Sequence, residues 1–116
     1  MTRESELSEA YEAFMALPYP DYPQTEVLRD WNSRLLTLDG WIAGYASRVE
    51  GGSMEADAVP GVDDLISQVD SLRRDLDSFG SQVAAEGPLL EEYRSYVAAL
   101  HRLITEIGIL ASTAGN

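Results

Sequence analysis

The 116-residue chain contains no cysteine, which removes disulfides, thiolate nucleophiles and cysteine-ligated zinc from consideration. Lysine is missing too. All eight basic side chains besides one histidine are arginine, and they face 20 aspartates and glutamates for a net charge of −12. An anionic surface of that size repels polyphosphate and anionic lipid, so direct nucleic-acid binding and membrane association are not expected. No apolar run approaches the roughly 18 residues of a membrane span, and Met1 to Glu6 has no apolar signal core, so a cytoplasmic location is expected.

Catalytic signatures are equally sparse. There is no G-x-S-x-G elbow and no phosphate-cradling Gly-Lys-Ser/Thr loop. A helical diiron centre needs Glu-x-x-His pairs, and the position three before His101 is Ala98. The neighbouring acids Asp63-Asp64 and Glu91-Glu92 diverge by about 100° on a helix, so neither pair converges on a ligand. His101 follows the apolar Leu100 and reads as a packed or half-exposed polar residue. The chain is expected to be no enzyme and to carry no cofactor and no metal.

What the sequence does carry is a 3-4-3-4 spacing of large apolar residues, which places them along one face of a helix. Leu28, Trp31, Leu35, Leu38, Ile42, Tyr45 and Val49 form one seam. Val62, Leu65, Val69, Leu72, Leu76, Phe79 and Val83 form a second, and Leu90, Tyr93, Val97, Leu100, Ile104, Ile107 and Ala111 a third. Upstream, Leu7, Tyr11, Phe14 and Leu17 repeat the pattern over a shorter span, with Glu6, Glu9 and Glu12 outside it. These seams predict an all-α fold in one domain over 1–116: an antiparallel three-helix bundle of long helices plus a short N-terminal helix, four helices in total. The short helix should span about 5–17, a Pro/Tyr loop 18–24, and the long helices about 25–50, 61–86 and 88–113.

The breaks fit. Thr25 with Glu26 reads as an N-cap followed by a first-turn acid, and Asp63-Asp64 place negative charge at another helix start. Gly51-Gly52-Ser53 should end the first long helix, leaving a polar connector with little to bury before Pro60-Gly61. Gly87-Pro88 suits a stop followed by a helix start, joining an antiparallel hairpin. Beside the third seam, Leu89, Tyr96, Leu103 and Leu110 recur every seven residues. So wide a stripe makes the C-terminal helix either the central element of a monomer, which is the favoured reading, or the interface of a homodimer.

Three features stand out as candidate partner-binding sites. In Pro18-Tyr19-Pro20-Asp21-Tyr22-Pro23 the prolines fix an extended path. Tyr19 and Tyr22 then either cover the open end of the bundle, the plainer reading, or form a docking peptide for an aromatic-lined groove. Ser33, Thr37, Gly40, Gly44, Ser47 and Gly51 make a small-residue stripe opposite the first seam. Gly40 and Gly44 each cost about 1 kcal/mol inside a helix, which close packing would offset. That packing is expected to come from the chain's own N-terminal helix before an external partner. Asp63, Asp70 and Asp77 share a heptad position and form a negative stripe on an outer helix face, partly neutralised by Arg73 and Arg74. A solvated face is the default reading of that stripe.

The resulting expectation is a non-enzymatic protein-interaction module, an adaptor or scaffold presenting an acidic helical surface to a protein partner. The alternative is an acidic inhibitor, an immunity protein or a nucleic-acid mimic, that occludes a basic site on its target. Salt separates the two, because surface charge is screened within about 8 Å at physiological ionic strength.

Overall fold

A computed structural model describes residues 3–79 and 86–114, and the side chains of 5–79 and 86–112. The described residues form four α-helices, α1 (Arg3–Met15), α2 (Glu26–Glu50), α3 (Val62–Ser78) and α4 (Gly87–Ala114), with one 3-10 turn at Ala56–Ala58 and no strand. The all-α expectation holds. The body measures 47 × 25 × 21 Å.

α4 is the hub, touching α1, α2, α3 and the 3-10 turn. Asp70 of α3 meets His101 while Asp77 meets Arg94, and Glu9 of α1 meets Arg102 while Phe14 meets Tyr96. In both pairs one helix advances as the other retreats, so α4 runs antiparallel to α1 and α3. It runs in the same direction as α2, where Trp31 meets Tyr93 and Asp39 meets Tyr96. The wide apolar stripe of α4 is consumed by these neighbours: Tyr96 and Leu103 are buried, and Leu89 and Leu110 pack half-buried against the core.

The seams supply that core. Leu28, Trp31, Leu35, Leu38 and Ile42 are buried on α2, Leu65, Val69, Leu72 and Leu76 on α3, and Leu90, Tyr93, Val97, Leu100, Ile104 and Ile107 on α4. Val83 lies outside the described residues. Close packing needs a small residue at one point. A Cβ on Gly108 would lie 3.2 Å from Val62 Cγ1 and 3.4 Å from Ile66 Cδ1, so this glycine lets α3 and α4 approach.

Several expected boundaries move. α1 stops at Met15, short of residue 17, because Pro18 disfavours helical backbone at Leu17; a tighter turn, Leu17 N–H to Phe14 O, closes the helix instead. Among the described residues α3 spans Val62–Ser78, where the Ser78 hydroxyl donates to Asp75 O at 2.7 Å and Phe79 N–H reaches Leu76 O. Residues 80–85 of the expected span to 86 lie outside the described residues. α2 ends as anticipated: Gly52 at φ +83° lets Ser53 N–H reach Arg48 O and Gly52 N–H reach Val49 O, which satisfies carbonyls the helix leaves open. The connector after it is less idle than its composition suggests, since Ala56 and Val59 are buried and the 3-10 turn packs on α4. Pro88 lies in the first turn of α4, where its missing N–H costs nothing.

Candidate functional site

The Pro-Tyr segment closes one end of the bundle. Pro20 and Pro23 are buried, and Tyr19 lies half-buried with its ring edge-on to Tyr96 at 4.9 Å and to Tyr93 at 6.4 Å. Phe14 tilts against Tyr96 at 5.1 Å, and Trp31 meets Tyr93 edge-on at 4.9 Å. Edge-to-face pairs of this kind add about 1 kcal/mol each beyond the area they bury.

Asn32 is the hub of that cluster and the one buried polar residue of the described core, only 2% exposed. Its Oδ1 accepts from Tyr19 Oη at 2.5 Å and from Tyr93 Oη at 3.0 Å; Tyr93 Oη also lies 3.3 Å from the Asp21 carbonyl. The two phenols and the amide satisfy one another, which removes the penalty of burying them. Tyr96 donates to Asp39 Oδ1 at 2.7 Å, and Trp31 Nε1 donates to Leu72 O at 2.8 Å. Burial holds the Asp39 carboxyl above its ordinary range even though the Tyr96 hydrogen bond acts the other way. Burial likewise pushes the Tyr93 phenol up to about 12 and raises those of Tyr19 and Tyr96, with Asp39 adding to both of the latter.

A second anchor holds the far end of this strap. Thr25 is the N-cap of α2, but its side chain makes no cap hydrogen bond. Glu86, just ahead of α4, instead fixes the backbone that leads into the helix: its carboxylate accepts from Gln24 N–H at 2.7 Å and Thr25 N–H at 3.1 Å. Those bonds, the Gln24 one foremost, hold the Glu86 carboxyl below its usual range. Tyr19 is thus structural. Tyr22 is 64% exposed, with the Arg29 guanidinium 5.9 Å from its ring centroid.

The small-residue stripe has the opposite fate. A Cβ built on Gly40 would meet nothing within 4 Å, and one on Gly44 only the tip of the Arg48 side chain at 3.6 Å. The expected packing by α1 is absent, because α1 lies against α4 and the close helix approach occurs at Gly108. The outer face of α2 is therefore open, flanked by Leu36 (48% exposed) and Trp41 (51% exposed). Trp41 also walls a groove of about 240 Å³ between α2 and α3, shared with Arg34, Thr37, Gln68 and Ser71.

The aspartate stripe lies partly at the α3–α4 border. Asp70 Oδ1 is 3.1 Å from His101 Nε2 and 3.6 Å from Arg73, and Asp77 pairs with Arg94 at 3.3 Å; Asp63 is exposed. Arg94 pairs with Glu91 as well. His101, half-buried against Asp70, is the packed polar residue its place beside the seam implied. The stripe is thus partly paired, Asp70 with Arg73 and against His101 and Asp77 with Arg94, while the Asp77 carboxylate stays largely in solvent. Among the described residues no three acidic or histidine side chains are grouped to hold a metal ion, and no helix is long and apolar enough to cross a membrane.

Asn32, Asp39 and Glu86 escaped the sequence reading. Apart from Tyr19, 13 residues before Asn32, their partners lie 57 to 62 residues away, and no local pattern announces such pairs. A polar residue directly after the seam position Trp31 was the available signal for Asn32. No family model, curated protein or solved structure matches the chain.

Proposed function

We propose that the chain is a non-enzymatic protein-interaction module that holds a protein partner on the outer face of α2. One observation carries this reading: Trp41, half of its surface in solvent, stands beside a glycine stripe that no other helix among the described residues covers. Tryptophan is enriched among the residues that dominate binding energy at protein interfaces, and exposed glycines on a helix let a partner's backbone come close. Leu36 on the other flank extends the apolar contact. The acidic remainder of the surface keeps the molecule dispersed and disfavours acidic partners. Against the acidic-inhibitor reading, Asp70 and Asp77 of its principal stripe already pair with Arg73 and Arg94 of the same chain.

Affinity capture from native lysate at two salt concentrations, read by mass spectrometry, tests the proposal. The wild-type chain should retain a protein through the high-salt wash, and Trp41→Ala should lose it while keeping its helical circular dichroism. Retention that collapses at high salt and ignores Trp41→Ala would overturn the reading in favour of an electrostatic inhibitor.

A further inference from the structure

Between the Pro-Tyr strap and the first turns of α4 lies a cleft of about 370 Å³, within the range of small-ligand sites. Pro18, Tyr19 and Pro20 form one wall and Tyr96 the other, while Asp21 and Glu92 stand at its rim. The aromatic walls are rigid, because Tyr19 is held by Asn32 and Tyr96 by Asp39. The rim carboxylates are not. Asp21 and Glu92 are both exposed, and among the described residues neither is in an ion pair.

Five of the chain's arginines are engaged away from this rim. Arg94, two residues beyond Glu92, turns to Asp77 and Glu91 on the α3 side of the helix. Arg29 donates from Nε to Pro23 O at 3.1 Å and lies over the Tyr22 ring. Arg102 reaches Glu9, Arg34 reaches Asp75 and Arg48 lies by Tyr45. The cleft therefore combines fixed aromatic surface with two unneutralised carboxylates; burial, then Glu86 and Tyr22, raise the neighbouring Tyr93 phenol, and Asp21 and Glu92 add to it.

We propose that this cleft receives an arginine side chain presented by a protein partner, with the guanidinium against the Tyr19 and Tyr96 rings and bonded to Asp21 and Glu92. A guanidinium is planar, stacks on aromatic rings, is less strongly hydrated than an ammonium and donates two parallel bonds to a carboxylate. Lysine meets the charge requirement but not the stacking one, so it should bind more weakly. The segment that resembles a docking peptide in sequence would thereby act as the wall of a receptor. The cleft shares no residue with the α2 face, and its occupancy is independent of that proposal.

The test is titration of the isotope-labelled chain with N-acetyl-arginine amide, with the lysine and norleucine amides as comparators, read by amide chemical shifts. Arginine amide should shift residues 17–22 and 92–96 in a saturable way, norleucine amide should not, and lysine amide should bind several-fold more weakly. Asp21→Asn with Glu92→Gln should weaken arginine binding by about tenfold or more, the factor equivalent to losing about 1.4 kcal/mol of charge-assisted bonding. Asp63→Asn, which removes charge outside the cleft, should leave it unchanged. No saturable shift in the strap up to tens of millimolar, equal binding of norleucine amide, or equal loss in Asp63→Asn would each overturn the proposal.

Discussion

Trp31 and Trp41 sit ten residues apart on the same helix, yet the first is fully buried and hydrogen-bonded to the α3 backbone while the second is half in solvent. The contrast extends to their surroundings. Around Trp31 the strap, Asn32 and three tyrosines form a closed, mutually satisfied cluster. Around Trp41, a Cβ on Gly40 would meet nothing and one on Gly44 only the Arg48 side chain. Both regions look unusual in sequence, one for its prolines and tyrosines and the other for its glycines. The fold builds the first into its end, leaving only the strap's outward cleft open, and gives the second no structural role, so changes on the α2 face should cost the least stability.

The largest expected break in this comparison comes from alkali. Folding raises the phenol pKa values of Tyr19, Tyr93 and Tyr96, Tyr93 to about 12, because burial disfavours the phenolate. Their contribution is fully present below the unfolded value near 10. It is lost as pH rises through the folded values, because the unfolded chain then binds fewer protons. Each phenol still protonated in the fold should steepen the loss by up to about 1.4 kcal/mol per pH unit above 10. Denaturant melts from pH 8 to 12 check this, and Tyr19→Phe should flatten the slope. A pH-independent midpoint across that range would mean that the phenols are not sequestered.

Next in size, Asn32→Ala removes the acceptor shared by Tyr19 and Tyr93 and should cost about 2 kcal/mol, the penalty for leaving buried hydroxyls unpaired. Urea unfolding measures it, and a loss below a few tenths would show that water replaces the amide freely. Smallest, and opposite in sign, Gly40→Ala should stabilise the chain by about 0.5–1 kcal/mol, because its Cβ meets nothing and helical alanine outranks glycine. A destabilised Gly40→Ala would place a neighbour over the stripe and close the proposed face.

The seams were legible because the helical repeat is local: of the α2 seam, Leu28, Trp31, Leu35, Leu38 and Ile42 are all buried. Gly52 announced the end of α2 for the same reason, since a positive φ is a property of one residue. What escaped was pairing at a distance. Nothing near Thr25 predicts that Glu86 will accept from its N–H, and nothing in a run of small residues tells which glycine another helix will approach. Gly108 has that role, against Val62 and Ile66, while Gly40 and Gly44 do not. Asp70 and Asp77 looked outward on α3 alone and proved to border α4, where His101 and Arg94 meet them. At Ser78, the last residue of α3 among the described ones, the hydroxyl bonds the Asp75 carbonyl, a local contact that a heptad pattern does not register.

Denaturant unfolding of Tyr19→Ala beside Trp41→Ala tests the central division between a sealed end and a free face. Tyr19→Ala should lose about 2–3 kcal/mol, through its ring contacts and its hydrogen bond to Asn32, and Trp41→Ala no more than about 1 kcal/mol. The reverse order, with Trp41→Ala the more damaging, would make Trp41 part of the core and contradict the assignment of the α2 face to a partner.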